Sequence, residues 1–247
     1  MALIEAKGVH VRFGDRVVLE EVDMSVLERE CHGIMGPNGA GKTTFFNVLT
    51  GRAKPTRGEL FLDGENVAGL PPHRIARKGV ARSFQIMTLF DEYTARDNVM
   101  VALPQFRERG FDMHNAASGD RDFKAEAEKV LADVGLADKA DIRAKELPYG
   151  DRRALEIAVA LAQKPRVLCL DEPTSGLGTD GVRRLLGLAQ KLKGKLTMIV
   201  IEHDMSFLFS LADRISVLHW GQVVARGTPL QLQENPWVKR SNLGKFS

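Results

Sequence analysis

An apolar run, "CHGIM" from Cys31 to Met35, leads straight into "GPNGAGKT", Gly36 to Thr43, and a helix-like segment, "TTFFNVLTG", follows. No other feature narrows so far what the chain can fold into. Gly36, Gly39 and Gly41 let the backbone curl until successive amides face one point, and the dipole of the helix that begins there favours negative charge. Such a cradle, spanning Gly36, Pro37, Asn38, Gly39, Ala40, Gly41, Lys42, Thr43 and Thr44, holds the phosphates of a nucleotide. Lys42 reaches the terminal phosphates, the Thr43 hydroxyl faces a Mg²⁺ ion, and Thr44 adds a phosphate contact. A strand before and a helix after are the context in which a glycine-rich string counts as a phosphate loop rather than an incidental turn.

A strand that carries such a loop needs a sheet, and the rest of the chain supplies one. From Leu3 to Met35, alternating or β-branched segments broken at Gly14-Asp15 and Gly33 predict strands and turns. "GELFLDGENV" reads as a hairpin turning at Asp63-Gly64, Pro71-Pro72 opens a short basic helix, and "VARSF" is a further strand ending at Gln85. The period then changes. Between Thr94 and about Ala144 strand signals are few: "TARDNVMVAL" begins with a Thr cap, and "DRDFKAEAEKVLADVG" starts at Asp120 or Asp122 and stops at Gly135. This predicts a helical subdomain inserted into an α/β body, with the polar "GFDMHNAASGD" as a surface loop. Beyond it "DRRALEIAVALAQ", "RVLCL", "GVRRLLGLAQKLKG", "LTMIVI", "MSFLFSLAD" and "RISVL" alternate helix and apolar strand, the pattern of a parallel sheet buried on both faces. Thr228 and Pro229 open one or two short terminal helices.

Composition excludes more than it selects. With 247 residues, 44% hydrophobic and 27% charged, the chain is an ordinary globular one, and a net charge of +3 does not announce a nucleic-acid binder. No apolar stretch approaches the ~18–20 residues needed to cross a bilayer, and the first residues lack a signal-peptide pattern. Cys31 and Cys169 sit in apolar strand-like runs, which suits buried reduced thiols and a cytosolic setting.

"RVLCLDE" supplies the second half of a nucleotide site: an apolar strand that delivers two carboxylates at its exit, where open parallel sheets bind ligands. Side chains alternate along a strand, so Asp171 and Glu172 point differently. Asp171 is assigned to the Mg²⁺ shell and Glu172 to polarising the attacking water.

With both motifs in one chain, the sequence resembles an ATP-binding cassette protein over essentially its whole length. The resemblance implies a single cassette domain: a P-loop NTPase α/β core with a mostly parallel sheet, an antiparallel β subdomain and an inserted helical subdomain. Its expected parts are a β-rich nucleotide-binding core with the phosphate loop (1–85), a helical subdomain with the signature (86–160), the rest of the core (161–227) and a helical tail (228–247). Phe13 stands where the adenine-stacking aromatic belongs, with Val18 flanking it, although a strand aromatic is also commonly plain core. Gln85 matches the glutamine that links Mg²⁺ and water to the transporter, and His203 matches the switch histidine at the terminal phosphate. Glu172, His203 and Gln85 are therefore the expected catalytic residues, and Thr43, Gln85 and Asp171 the expected metal ligands.

Leu147, Pro148, Tyr149, Gly150 and Asp151 align with the family signature, which touches the ATP held by a second cassette and so implies a homo- or heterodimer. Pro148 replaces the usual serine, Asp151 puts a carboxylate in place of glutamine near the anion, and Gly178 replaces a common aspartate. Tyr149 either stacks on nucleotide or fills the signature turn. "LPYGD", "IEHDM" and "GTPLQLQENPWV" are similar to the branched-chain amino acid subgroup. That likeness implies an ATP-hydrolysing importer subunit, peripheral on the cytoplasmic membrane face, working with permease subunits and indirectly a solute-binding protein, and no nucleic acid. Alternatives within the resemblance are a lipid or lipopolysaccharide exporter, a urea or amide importer, and a soluble non-transport ATPase. Met87, Leu89, Phe90, Tyr93, Met100, Val101 and Leu103 either line a groove for a membrane partner's helix or pack locally.

Overall fold

The computed structural model describes residues 2–83, 89–104 and 121–240. Two sheets organise it. The first is antiparallel, in the order β2-β1-β4-β5, from β1 (Ala2–Phe13), β2 (Arg16–Leu27), β4 (Arg57–Leu62) and β5 (Glu65–Asn66). The β4–β5 turn falls at Asp63-Gly64, both at positive φ (53° and 76°), as a tight hairpin turn demands.

The second sheet runs β10-β9-β3-β8-β7-β6, with β3 (Cys31–Met35), β6 (Val80–Ser83), β7 (Val167–Asp171), β8 (Thr197–Ile201), β9 (Arg214–His219) and β10 (Gln222–Gly227). All neighbours are parallel except β10, which returns antiparallel along β9. Strand β10 is absent from the sequence-derived elements for a physical reason. It is an edge strand with only Ala225 buried, so "QVVARG" carries little apolar signal. By contrast β3, β7 and β8 are buried at every residue, which explains their unbroken apolar runs.

Alternation along these strands feeds two cores. Val167, Cys169, Ile199 and Ile34 face the side of Phe45 and Phe46 on α1 (Lys42–Leu49). Leu168, Leu170, Met198 and Val200 face the opposite side, packed under α5 (Tyr149–Ala162), α6 (Thr179–Leu192) and α7 (Met205–Leu211). A third core belongs to the helical layer, where Val99 and Leu103 meet Phe123, Ala127 and Leu131 of α4 (Arg121–Asp133). Helix α5 serves both layers, with Leu155 and Ala158 in the helical core and Ile157 and Ala160 against the sheet. The remaining helices are α2 (Pro72–Arg77), α3 (Ala95–Met100) with a Thr94–Asp97 capping box, α8 (Pro229–Glu234) capped by Thr228, and α9 (Pro236–Arg240). Both cysteines are free and buried, and burial raises each thiol pKa to about 12.

The register places the site. Asp171 pairs with Ile201 across β7 and β8, and Ile34 pairs with Ile201 across β3 and β8. The residues that follow these strands therefore emerge side by side at the carboxyl ends of the sheet, although the phosphate loop lies more than a hundred positions before the other two segments in sequence.

Candidate functional site

At that edge Met35 passes into the phosphate loop and α1 begins at Lys42, with Gly41 at the cap. Gly36 (φ 155°) and Gly41 (φ 102°) are obligatory in the space available. A Cβ on Gly36 would lie 2.1 Å from the Leu218 carbonyl oxygen, and one on Gly41 would lie 2.9 Å from the Val18 carbonyl oxygen. Gly39 (φ 79°) has open space around it and is required only for its conformation. The Lys42 ammonium is buried and donates to the carbonyls of Gly36 (2.7 Å) and Pro37 (3.0 Å). Burial lowers its pKa, opposed by the nearby charges of Glu172 and Asp171. Thr43 is exposed and Thr44 half-buried.

Asp171 ends β7 almost wholly buried. One oxygen, Oδ2, accepts from Arg82 Nη2 at 2.5 Å, and the other, Oδ1, is buried with no hydrogen-bond partner among the described residues. Arg82 enters from β6, donates also to Asn47 Oδ1 at 2.7 Å, and lies over the Phe46 ring. An orphaned carboxylate oxygen beside the phosphate loop is what a divalent cation satisfies, so the site fits Mg²⁺. Among the described residues no group of three His, Cys, Asp or Glu is placed to hold a metal ion by itself; a site shared with hydroxyl and phosphate oxygens needs none.

Glu172 follows with φ 44°, a left-handed conformation uncommon for a residue with a side chain. Its Oε1 lies 2.7 Å from His203 Nε2. His203 is itself set by Glu202, whose Oε2 accepts from the amides of His203 (2.8 Å) and Asp204 (3.2 Å) while Oε1 accepts from the Thr174 amide (2.7 Å). Glu202 is buried and ties the segment after β7 to the segment after β8. Phe13 stands at the tip of the β1–β2 hairpin, 58% exposed, so it is not plain core; Val18 is half-buried. Gln85, and with it Met87, lies outside the described residues.

The signature begins α5 with Pro148 at its cap and Leu147 buried beneath. Tyr149 fills the turn: its hydroxyl donates to the Ser175 carbonyl at 3.1 Å and its ring covers Gly176. The Asp151 carboxylate, expected to put negative charge near the anion of a second cassette, is buried and paired within this chain. Its Oδ2 accepts from Lys139 Nζ at 2.6 Å, and Arg184 lies 3.9 Å from Oδ1. The two readings of the apolar residues around and after Gln85 divide residue by residue. Met100 and Leu103 are buried in the helical core, whereas Phe90 and Tyr93 are more than half exposed and meet edge to face.

Sequence reasoning missed Arg82, Glu202 and Arg153, a buried arginine of α5 that reaches the carbonyls after β7. Their partners come from other elements, and for Arg82 and Glu202 the only available signal was a charge inside or at the end of an otherwise apolar segment.

This arrangement defines a phosphate-loop nucleoside triphosphatase with a signature helix. The family model for the ABC transporter matches residues 19–175. The branched-chain amino acid transport ATP-binding protein BraF of Pseudomonas aeruginosa is 40% identical over 98% of each chain. Among solved structures, the ADP conformation of the cassette MJ1267 superposes with a TM-score of 0.87, at 25% identity over 99% of this chain and 100% of that one. A dimeric post-hydrolysis cassette, MJ0796 bound to ADP and Pi, gives 0.76 at 25% identity over 92% of this chain and 98% of that one. The chain belongs to the ABC transporter family, as an ATP-binding and ATP-hydrolysing subunit.

Proposed function

We propose that this subunit drives import of branched-chain or related amino acids from the cytoplasmic face of a membrane. The carrying observation is the convergence of Lys42, Asp171 and the Glu172–His203 pair at one strand edge. ATP lies along Gly36 to Thr44, with adenine against Phe13 and Val18. Thr43, Asp171 and Gln85 would hold a Mg²⁺ ion, which would neutralise phosphate charge when bound. Glu172 polarises the attacking water, and His203 orients that carboxylate and meets the terminal phosphate.

Leu147 to Asp151 face the ATP of a second cassette in a head-to-tail dimer, and the helix start supplies the anion contact that the Pro148 side chain cannot. Phe90 and Tyr93 form the surface that meets a permease subunit. Among the described residues no helix is long and apolar enough to cross a membrane, consistent with a peripheral subunit. The solute reading is supported by the name of BraF. The division into a β-rich core, a helical subdomain, the rest of the core and a tail belongs to the same reading.

Glu172→Gln tests the chemistry. It should retain ATP binding while turnover falls by about 10²-fold or more. Normal turnover in that variant would remove Glu172 from the mechanism.

A further inference from the structure

The strand that delivers Asp171 stops there, and the carbonyls of Asp171, Glu172 and Pro173 lie where the chain leaves the sheet, with Asp171 and Pro173 buried. Such acceptors need donors from elsewhere. One side chain reaches all three, and the Ser175 amide adds a second donor to the Glu172 carbonyl at 3.1 Å. Arg153, on the second turn of α5 and almost fully buried, donates from Nη2 to the carbonyls of Asp171 (2.9 Å) and Glu172 (3.3 Å), and from Nε to that of Pro173 (3.3 Å). Its Nη1 donates to Glu156 Oε2 at 2.6 Å, one turn further along the same helix, which fixes the guanidinium plane.

The middle residue of the gripped segment is Glu172, held at φ 44°. A non-glycine residue stays in that region only when its surroundings over-determine it. Here the Glu172 amide donates to the Ile201 carbonyl at 2.9 Å on one side, and Arg153 fixes the carbonyls on the other. With both flanking peptides pinned, the direction in which the carboxylate leaves the backbone is set.

We propose that Arg153 is a positioning residue for hydrolysis: its guanidinium clamps the Asp171–Pro173 carbonyls and so aims Glu172. The clamp also joins two halves of the cycle. Gly150 lies three residues before Arg153, about 4.5 Å along the axis at 1.5 Å per residue. A displacement of the helix start by the opposing nucleotide is thus transmitted to the peptide that carries this chain's own carboxylate. Lysine cannot replace the clamp, because a single ammonium lacks the planar fork that serves several carbonyls and a carboxylate at once.

The inference rests on the reading of Glu172 as the water-polarising group, and the experiment separates the two. ATPase kinetics, equilibrium binding of a fluorescent ATP analogue and urea unfolding are measured for the wild type, Glu172→Gln, Arg153→Lys and Glu156→Gln. Arg153→Lys keeps the charge and should lower kcat by about 10-fold or more, with nucleotide affinity within about 2-fold. Glu156→Gln, which leaves the guanidinium present but loosely held, should move kcat in the same direction by less. Wild-type kcat in Arg153→Lys, or kcat and affinity falling together in both variants, would overturn the clamp. Retained turnover in Glu172→Gln would sink the Glu172 reading first and the clamp with it.

Discussion

At the amino ends of β3 and β9, Glu30, His32, Arg214 and Ser216 close on one another in a buried network. Glu30 Oε1 lies 2.8 Å from His32 Nδ1 and accepts from Arg214 Nε at 2.8 Å, Oε2 accepts from the Leu27 amide at 2.8 Å, and His32 Nε2 meets Ser216 Oγ at 2.9 Å. The carboxyl ends of the same sheet hold charge of comparable burial but leave it open: Asp171 Oδ1 has no partner among the described residues, and Glu172 sits in a left-handed conformation. One end spends its polar groups on itself and the other keeps them for a ligand, so the first should govern stability and the second turnover.

The largest effect that tests this contrast is at the closed end. Arg214→Met strips Glu30 of two hydrogen bonds and should cost about 3 kcal/mol in urea unfolding, the low end for breaking a buried pair because Arg214 stays partly exposed. ATP turnover per folded molecule should not change. A turnover defect at unchanged stability would erase the distinction between the ends.

Acid should act through the same network. Burial alone would raise the Glu30 pKa, but hydrogen bonds from His32, Arg214 and the Leu27 amide outweigh it and hold the value at about 2 against the usual 4.5. A folded-state value below the unfolded one means that the stabilisation is complete above about pH 4.5 and drains away as pH falls toward 2. Burial lowers the His32 pKa from 6.5 despite Glu30 beside it, so its neutral form belongs to the folded state and acid below 6.5 opposes folding too. Glu30→Gln should therefore flatten the acid limb of a stability–pH curve below pH 4.5. An unchanged limb would place the acid sensitivity elsewhere.

The two ends also differ in how far they could be read from sequence. The open end is local: a glycine-rich string fixes a loop by backbone conformation, and an apolar strand ending in Asp171-Glu172 names its own exit. The alternation of helix and strand gave the parallel sheet, while the edge strand β10 carried too little apolar pattern to register. The closed end was invisible because Glu30 and Arg214 lie 184 positions apart, and His32 hides within "CHGIM". The partner of Asp151 was hidden in the same way: its identity was plain, but Lys139, which pairs with it, comes from another element. Motifs made of consecutive residues are legible, whereas side chains that act by pairing across the fold need the fold first.

The smallest expected effect tests the open end from the stability side. Glu172 holds φ 44°, where a Cβ is penalised and glycine is not. Glu172→Gly should therefore relieve backbone strain and raise stability by up to about 1 kcal/mol, partly offset by the lost contact with His203. The same change removes the carboxylate and should abolish turnover. A gain in stability beside a loss of activity is the mark of a residue kept in place for chemistry at the expense of folding. Destabilisation by more than about 1 kcal/mol would mean that the His203 contact outweighs the strain, and that this end of the sheet, like the other, is built for stability.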